Sequence, residues 1–112
     1  MDFPVVTLGP IGTLFNACSA TGDTFDNGEP GTTVIFRNRN ANPRIIRVIS
    51  QSTCCFGFQG TFHDRLITIP GAVTDDVYQR EKIDANNHNA GRVVTFSYDT
   101  AVAGLSCCVI AM

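Results

Sequence analysis

The stretch from Thr32 to Ser52 reads TTVIFRN (32–38), RNANP (39–43) and RIIRVISQS (44–52), two β-rich runs on either side of a polar turn sequence. Val, Ile, Thr and Phe suit a pleated, half-buried surface, and Asn and Pro punctuate it. The stretch therefore predicts a hairpin of two strands, Thr32 to Asn38 and Arg44 to Ser52. With the turn centred near Ala41, Phe36 lies opposite Ile46 and Val34 opposite Val48, which makes one continuous apolar face for the core. The opposite face then carries Ile35, Arg37, Ile45, Arg47 and Ile49. A solvated face would be polar, and a second core face would not hold two arginines. Large apolar residues mixed with Arg are the composition of a protein interface. The competing reading is a register shifted by one residue, with isoleucines scattered on the surface as they ordinarily are.

Outward from that unit the chain continues as short β-rich runs separated by Gly, Pro, Asn and Asp clusters. Further strands are expected at Phe3 to Leu8, Thr13 to Ala17, Arg65 to Pro70, Arg92 to Tyr98 and Leu105 to Ala111. Thr74 to Asp84 reads either as one turn of helix capped by Thr74 or as an extended edge strand, since Val77, Gln79, Glu81 and Ile83 alternate. The expected architecture is all-β, a single antiparallel β-sandwich or barrel-like domain of about seven short strands covering residues 1–112. Residues 1–12 form either its first strand or an N-terminal arm, in which Phe3 and Val5 would add a strand to a neighbour's sheet edge.

A chain of 112 residues that is 44% hydrophobic and 16% charged has material for one core and too little charge for disorder. A domain of this size buries a modest fraction of its surface, so oligomers and partner surfaces often complete its stability. The net charge of −2 offers no field for a polyanion, which disfavours nucleic acid as a partner. The basic cluster Arg37, Arg39, Arg44 and Arg47 has only Phe36 nearby for stacking. No apolar run approaches the roughly 20 residues that span a bilayer, and residues 1–15 lack the pattern of a secretion signal. The expectation is a chain made and kept in a cytosol until something carries it out.

Chemistry-bearing motifs are sparse. The five cysteines, Cys18, Cys54, Cys55, Cys107 and Cys108, include two adjacent pairs and no Cys-x-x-Cys. Adjacent residues of a strand point to opposite faces, so neither pair suits a shared metal; the cysteines read as small apolar residues. One cross-strand disulfide between the pairs stays open in an oxidising medium. His63-Asp64 has no second His/Asp pair to converge with, and Gly22 to Glu29 lacks EF-hand spacing and reads as a turn anchored by Phe25. No serine lies in a nucleophile elbow and no phosphate-cradling loop is present. Neither catalytic, cofactor-binding nor metal-ligating residues are assigned, and the chain reads as a non-enzyme.

The order of motifs carries a resemblance. Gly22-Asp23-Thr24-Phe25 is followed by Asn38 at a strand end, Val48-Ile49-Ser50-Gln51, Cys54 and Gly57, then His63-Asp64 and Ile69-Pro70-Gly71. Asn89-Ala90-Gly91-Arg92-Val93 then leads into Val94-Thr95-Phe96-Ser97-Tyr98 and a last apolar strand. From about residue 20 onward this resembles the small capsid decoration, or cement, proteins of tailed bacteriophages. Asp75 to Asp84 and the doubled cysteines depart from that pattern. The resemblance implies a virion protein on the outer capsid surface, bound to the major capsid protein and to itself as a trimer or dimer, stabilising contacts between coat subunits. The alternative is a carbohydrate- or receptor-binding β-sandwich module of a phage tail or cell surface, against which stands the absence of Trp and the presence of only two Tyr.

Overall fold

The computed structural model describes residues 2–7, 15–28, 32–50, 64–83 and 92–111. Among them are ten strands and no helix: β1 Asp2–Phe3, β2 Val5–Thr7, β3 Asn16–Ala17, β4 Asp23–Asp26, β5 Thr33–Asn38, β6 Arg44–Val48, β7 Arg65–Ile69, β8 Val77–Glu81, β9 Val93–Tyr98 and β10 Leu105–Ala111. They build two sheets, β1-β4-β9-β6-β7 and β2-β10-β5-β8, with β3 also paired to β10. The all-β sandwich expected from the sequence is therefore the fold.

The inward faces follow from alternation. In β6 the pattern Arg44, Ile46, Val48 turns in while Ile45 and Arg47 turn out, and in β9 Val94 and Phe96 turn in. Both sheets contribute to one core, where Phe25 and Phe96 of the first sheet stack at 5.4 Å and Phe36 of the second meets Phe96 edge-on at 5.2 Å. Such offset and edge geometries match the ring quadrupoles, and each pair contributes about 0.5–1.5 kcal/mol beyond area burial.

The predicted hairpin is not formed. β5 pairs with β10 and β8, whereas β6 pairs with β7 and β9, so the two runs belong to opposite sheets. Phe36 and Ile46, and Val34 and Val48, share the core as expected, yet they enter it from opposite sheets and not along one ladder. Residues 39–43 carry the chain over the end of the sandwich. Asn38, fully buried at the end of β5, fixes this corner: its amide donates to the Asn42 and Pro70 carbonyls, each at 3.0 Å, and its carbonyl accepts from the Asn40 N–H at 2.9 Å. Asn40 repeats the device with the Asn42 N–H, also at 2.9 Å. These side-chain turns compete with a hairpin for the same backbone groups. Gly71 lies so close beneath the corner that a Cβ there would stand 2.0 Å from the Ala41 carbonyl oxygen.

One further segment differs from expectation, and another is decided between its two readings. Asp23–Asp26, read as turn, is strand β4, and Phe25 anchors it in the core as a fully buried side chain. Val77–Glu81 takes the edge-strand form of its two readings, as β8 beside β5. The N-terminus belongs to its own domain: β1 runs parallel to β4 in one sheet, the chain passes Pro4, and β2 runs parallel to β10 in the other. Proline has no N–H to give a ladder, which suits a point where a strand changes sheets.

Candidate functional site: the outer faces of the two sheets

Because β5 and β6 lie in opposite sheets, the five residues expected on one face are divided between two. Ile35 and Arg37 leave the outer face of the second sheet; Ile45 and Arg47 leave the outer face of the first, and Ile49, just past β6, continues the same register with its N–H on the Thr95 carbonyl.

The second sheet's outer face is covered. Ile35, Cys108 and Ile110 are buried there, with Phe15 packed on them. The Arg37 guanidinium carbon lies 4.4 Å from the Phe15 ring centroid, its Nε donates to the Ser106 hydroxyl at 3.2 Å, and Tyr78 meets Phe15 edge-on at 5.9 Å. Arg37 thus closes a small second core as a cation over an aromatic face. An arginine stem and head can roof an apolar cluster, so the argument that such a face would exclude arginine does not hold at this position. Ile35 is buried and unavailable as an interface residue.

Among the described residues, the first sheet's outer face carries no such cover. Arg47 stands on it, on β6 between β9 and the β7 edge, donating to Asp99 through two bonds of 2.7 and 3.1 Å and to Asp64 at 3.4 Å. The bonds from Arg47 hold the Asp99 carboxyl below the usual carboxylate range, and bonding to Asp99 first, then Asp64, raises the guanidinium. The two-point fork fixes the guanidinium plane. Asp64 also accepts the Ser50 N–H at 2.7 Å, which ties the start of β7 to the end of β6. Around this fork the ladder sets Ile45 beside Thr68, Arg47 beside Leu66 and Ser97, and the Ile49 N–H on the Thr95 carbonyl at 3.0 Å. Leu66 is 54% exposed and Val93, further along the same face, 41%. Near β6 and β7 the result is a surface of Ile, Leu and Thr side chains around the Arg47–Asp99 fork, and toward β4 the same face carries the Asp26–Arg92 pair beside Val93.

The N-terminal assignments also change. Phe3 is a core residue, 2% exposed, in register with Phe25. Val5 lies in β2, paired with Val109. Both belong to the domain's own sheets, so the reading of Phe3 and Val5 as a free arm on a neighbour is replaced by the first-strand reading.

The basic cluster disperses. Arg39 is exposed and paired with Asp76 at 3.0 Å, and Arg44 is 5% exposed and donates to the Ala103 carbonyl at 2.9 Å. With Arg37 over Phe15 and Arg47 between two aspartates, the four point to four places and form no common basic patch.

The acidic run disperses too: Asp23 turns into the core, while Asp26 turns out to Arg92 at 3.1 Å and accepts the Gly28 N–H at 2.9 Å. That backbone bond first, and Arg92 second, lower the Asp26 carboxyl. The buried Asp23 carboxylate accepts from the Tyr98 hydroxyl and from the Ser19 N–H at 2.9 Å. Next to it, burial pushes the Cys18 thiol up to about 12, and burial also raises Cys107. Cys107 and Cys108 leave β10 on opposite faces, one into each apolar cluster. Cys54, Cys55, His63 and His88 lie outside the described residues.

Leu66, Thr68, Val93, Thr95 and Ser97 were not singled out from sequence, although alternation in β7 and β9 turns them all outward. The missing knowledge was which strands flank β6. In comparisons with protein-family models, curated proteins and solved structures, the chain matches none.

Proposed function

We propose that this protein is a structural component of a tailed-phage virion that binds the outer surface of the capsid and stabilises contacts between major coat subunits. The observation that carries the reading is the outer face of the β1-β4-β9-β6-β7 sheet, uncovered among the described residues, where Ile45, Ile49 and Leu66 surround the Arg47–Asp99 fork. Interfaces of this kind gain from desolvating apolar side chains around a pre-oriented arginine, since little rotamer freedom remains to be lost on docking. The motif order described above points in the same direction, and adhesion, not catalysis, is the role such a face suits.

The test uses expanded, empty shells of the phage whose coat gene neighbours this reading frame. The protein is expected to co-sediment with the shells and to raise their resistance to heat. Replacing both Ile45 and Leu66 with Asp should abolish binding, whereas Arg80→Glu, on the exposed edge of the opposite sheet, should leave it intact. Absence of binding to both mature and immature shells overturns the reading.

A further inference from the structure

The two edges on one side of the sandwich are treated differently by the sequence. β8, the edge of the second sheet, carries Arg80 and Glu81 and is followed by Lys82. Charged side chains of this kind deter another strand from pairing. β7, the edge of the first sheet, reads Arg65-Leu66-Ile67-Thr68-Ile69. Its single charge, Arg65, is already held by Glu81 and by the Lys82 carbonyl at 2.9 Å. Among the described residues β7 pairs on one side only, with β6. The remaining edges differ again, because β1 is two residues long and β2 and β3 are three and two. A five-residue edge whose one charge is already paired, with an exposed leucine, is the arrangement that proteins ordinarily avoid unless something pairs with it.

A second observation falls on the same side. Among the described residues the exposed large apolar side chains are Leu66 on β7, Val73 in the connection to β8, Tyr78 on β8 and Val93. Three of these four lie along the β7–β8 side, and Val73 is 88% exposed.

We infer that β7 pairs antiparallel with β7 of a second copy about a two-fold axis through Ile67, joining two first sheets into one continuous sheet. The sequence of the edge favours its own copy over a charged partner. In that register Ile67 meets Ile67 and Leu66 meets Thr68 on the outer face, so these find apolar or methyl-bearing neighbours, while Ile69 lies along the aliphatic stem of Arg65 and no like charges oppose. A basic strand would find no complementary charge on β7, and an acidic one would have to compete with Glu81 for Arg65. With the axis perpendicular to the sheet, the outer faces of both copies look the same way. The inference stands on the edge alone; if the capsid reading also holds, the dimer would present two docking faces side by side and gain avidity.

Sedimentation velocity across a concentration series, without shells present, decides the matter. The expected result is a reversible monomer–dimer equilibrium, with amide exchange in Leu66–Ile69 slowing as concentration rises. Leu66→Lys and Thr68→Lys, at outward positions that leave the core intact, should each weaken the dimer about tenfold or more, a change of about 1.4 kcal/mol. Val93→Lys, exposed elsewhere on the same face, should leave it unchanged, and far-UV circular dichroism should show all three variants folded. A monomer up to millimolar concentration, a trimer, or a dimer indifferent to both β7 lysines overturns the inference. Shell binding is measured separately, so that failure here is distinguishable from failure there.

Discussion

Asn38 is the residue on which the corner between β5 and β6 depends, and replacing it tests that dependence. The side chain is fully buried and makes three hydrogen bonds, to the carbonyls of Asn42 and Pro70 and from the N–H of Asn40. A net contribution of about 1 kcal/mol per bond puts the loss in Asn38→Ala at about 3 kcal/mol. Asn42 and Pro70 are exposed, so water recovers part of their bonding, which sets the expected range at about 2–4 kcal/mol. For a domain whose total stability is of order 5–15 kcal/mol, that lowers the midpoint by roughly 10–15 °C. Asn38→Asp sharpens the test. Its carboxyl keeps an acceptor for Asn40 but sets a negative charge against two carbonyl oxygens, so its pKa in the folded state must lie above the unfolded value. The proton-bound form is then favoured by folding: stability is retained below the unfolded carboxyl range, near pH 4, and is lost as pH rises through the raised value. Urea denaturation at pH 4 and pH 7 reads both effects. A loss below about 1 kcal/mol in the alanine variant, or an aspartate variant no less stable at pH 7 than at pH 4 once the parent's own pH dependence is subtracted, would refute the account of the corner.

Three other outcomes are expected. Phe96→Ala removes the ring that bridges Phe25 and Phe36 and should cost about 3–5 kcal/mol in chemical denaturation. The Cys18 thiol, raised by burial from 9.0 to about 12, should resist thiol reagents at pH 8 in the native protein and react on unfolding, as mapped by mass spectrometry. Because its folded value is the higher one, the protein should lose stability as pH climbs from about 9 toward 12. Arg47→Met should return the Asp99 carboxyl to the ordinary range in an NMR titration; in the parent, its depressed value means a contribution that is present above that range and lost on acidification.

Much of the fold was legible along the chain because β-alternation is local. Val34 and Phe36 against Ile35 and Arg37, and Ile46 and Val48 against Ile45 and Arg47, declare an inward and an outward set whatever the strands pair with. Strand β4 was harder to see because two aspartates frame it, and only Phe25 signals that the segment is anchored inside. Of the candidate interface, Ile45, Arg47 and Ile49 keep a common outward face. Arg37 was misplaced because a guanidinium over the Phe15 ring is a long-range contact with no local signature.

What the sequence determined by itself is the class of fold and the side of each strand that faces the core, since both depend on residue type and a period of two. Which strands are neighbours was decided only in the tertiary structure. A hairpin and a crossing between sheets bury the same Phe36, Ile46, Val34 and Val48, so hydrophobic burial does not choose between them. The choice lies in partners far along the chain, β10 beside β5 and β9 beside β6, and in the Asn38 side chain that turns the backbone between them. The two ladders join residues 48 to 77 positions apart, beyond the reach of any local pattern. They divide one expected interface into a covered face and one that the described residues leave uncovered.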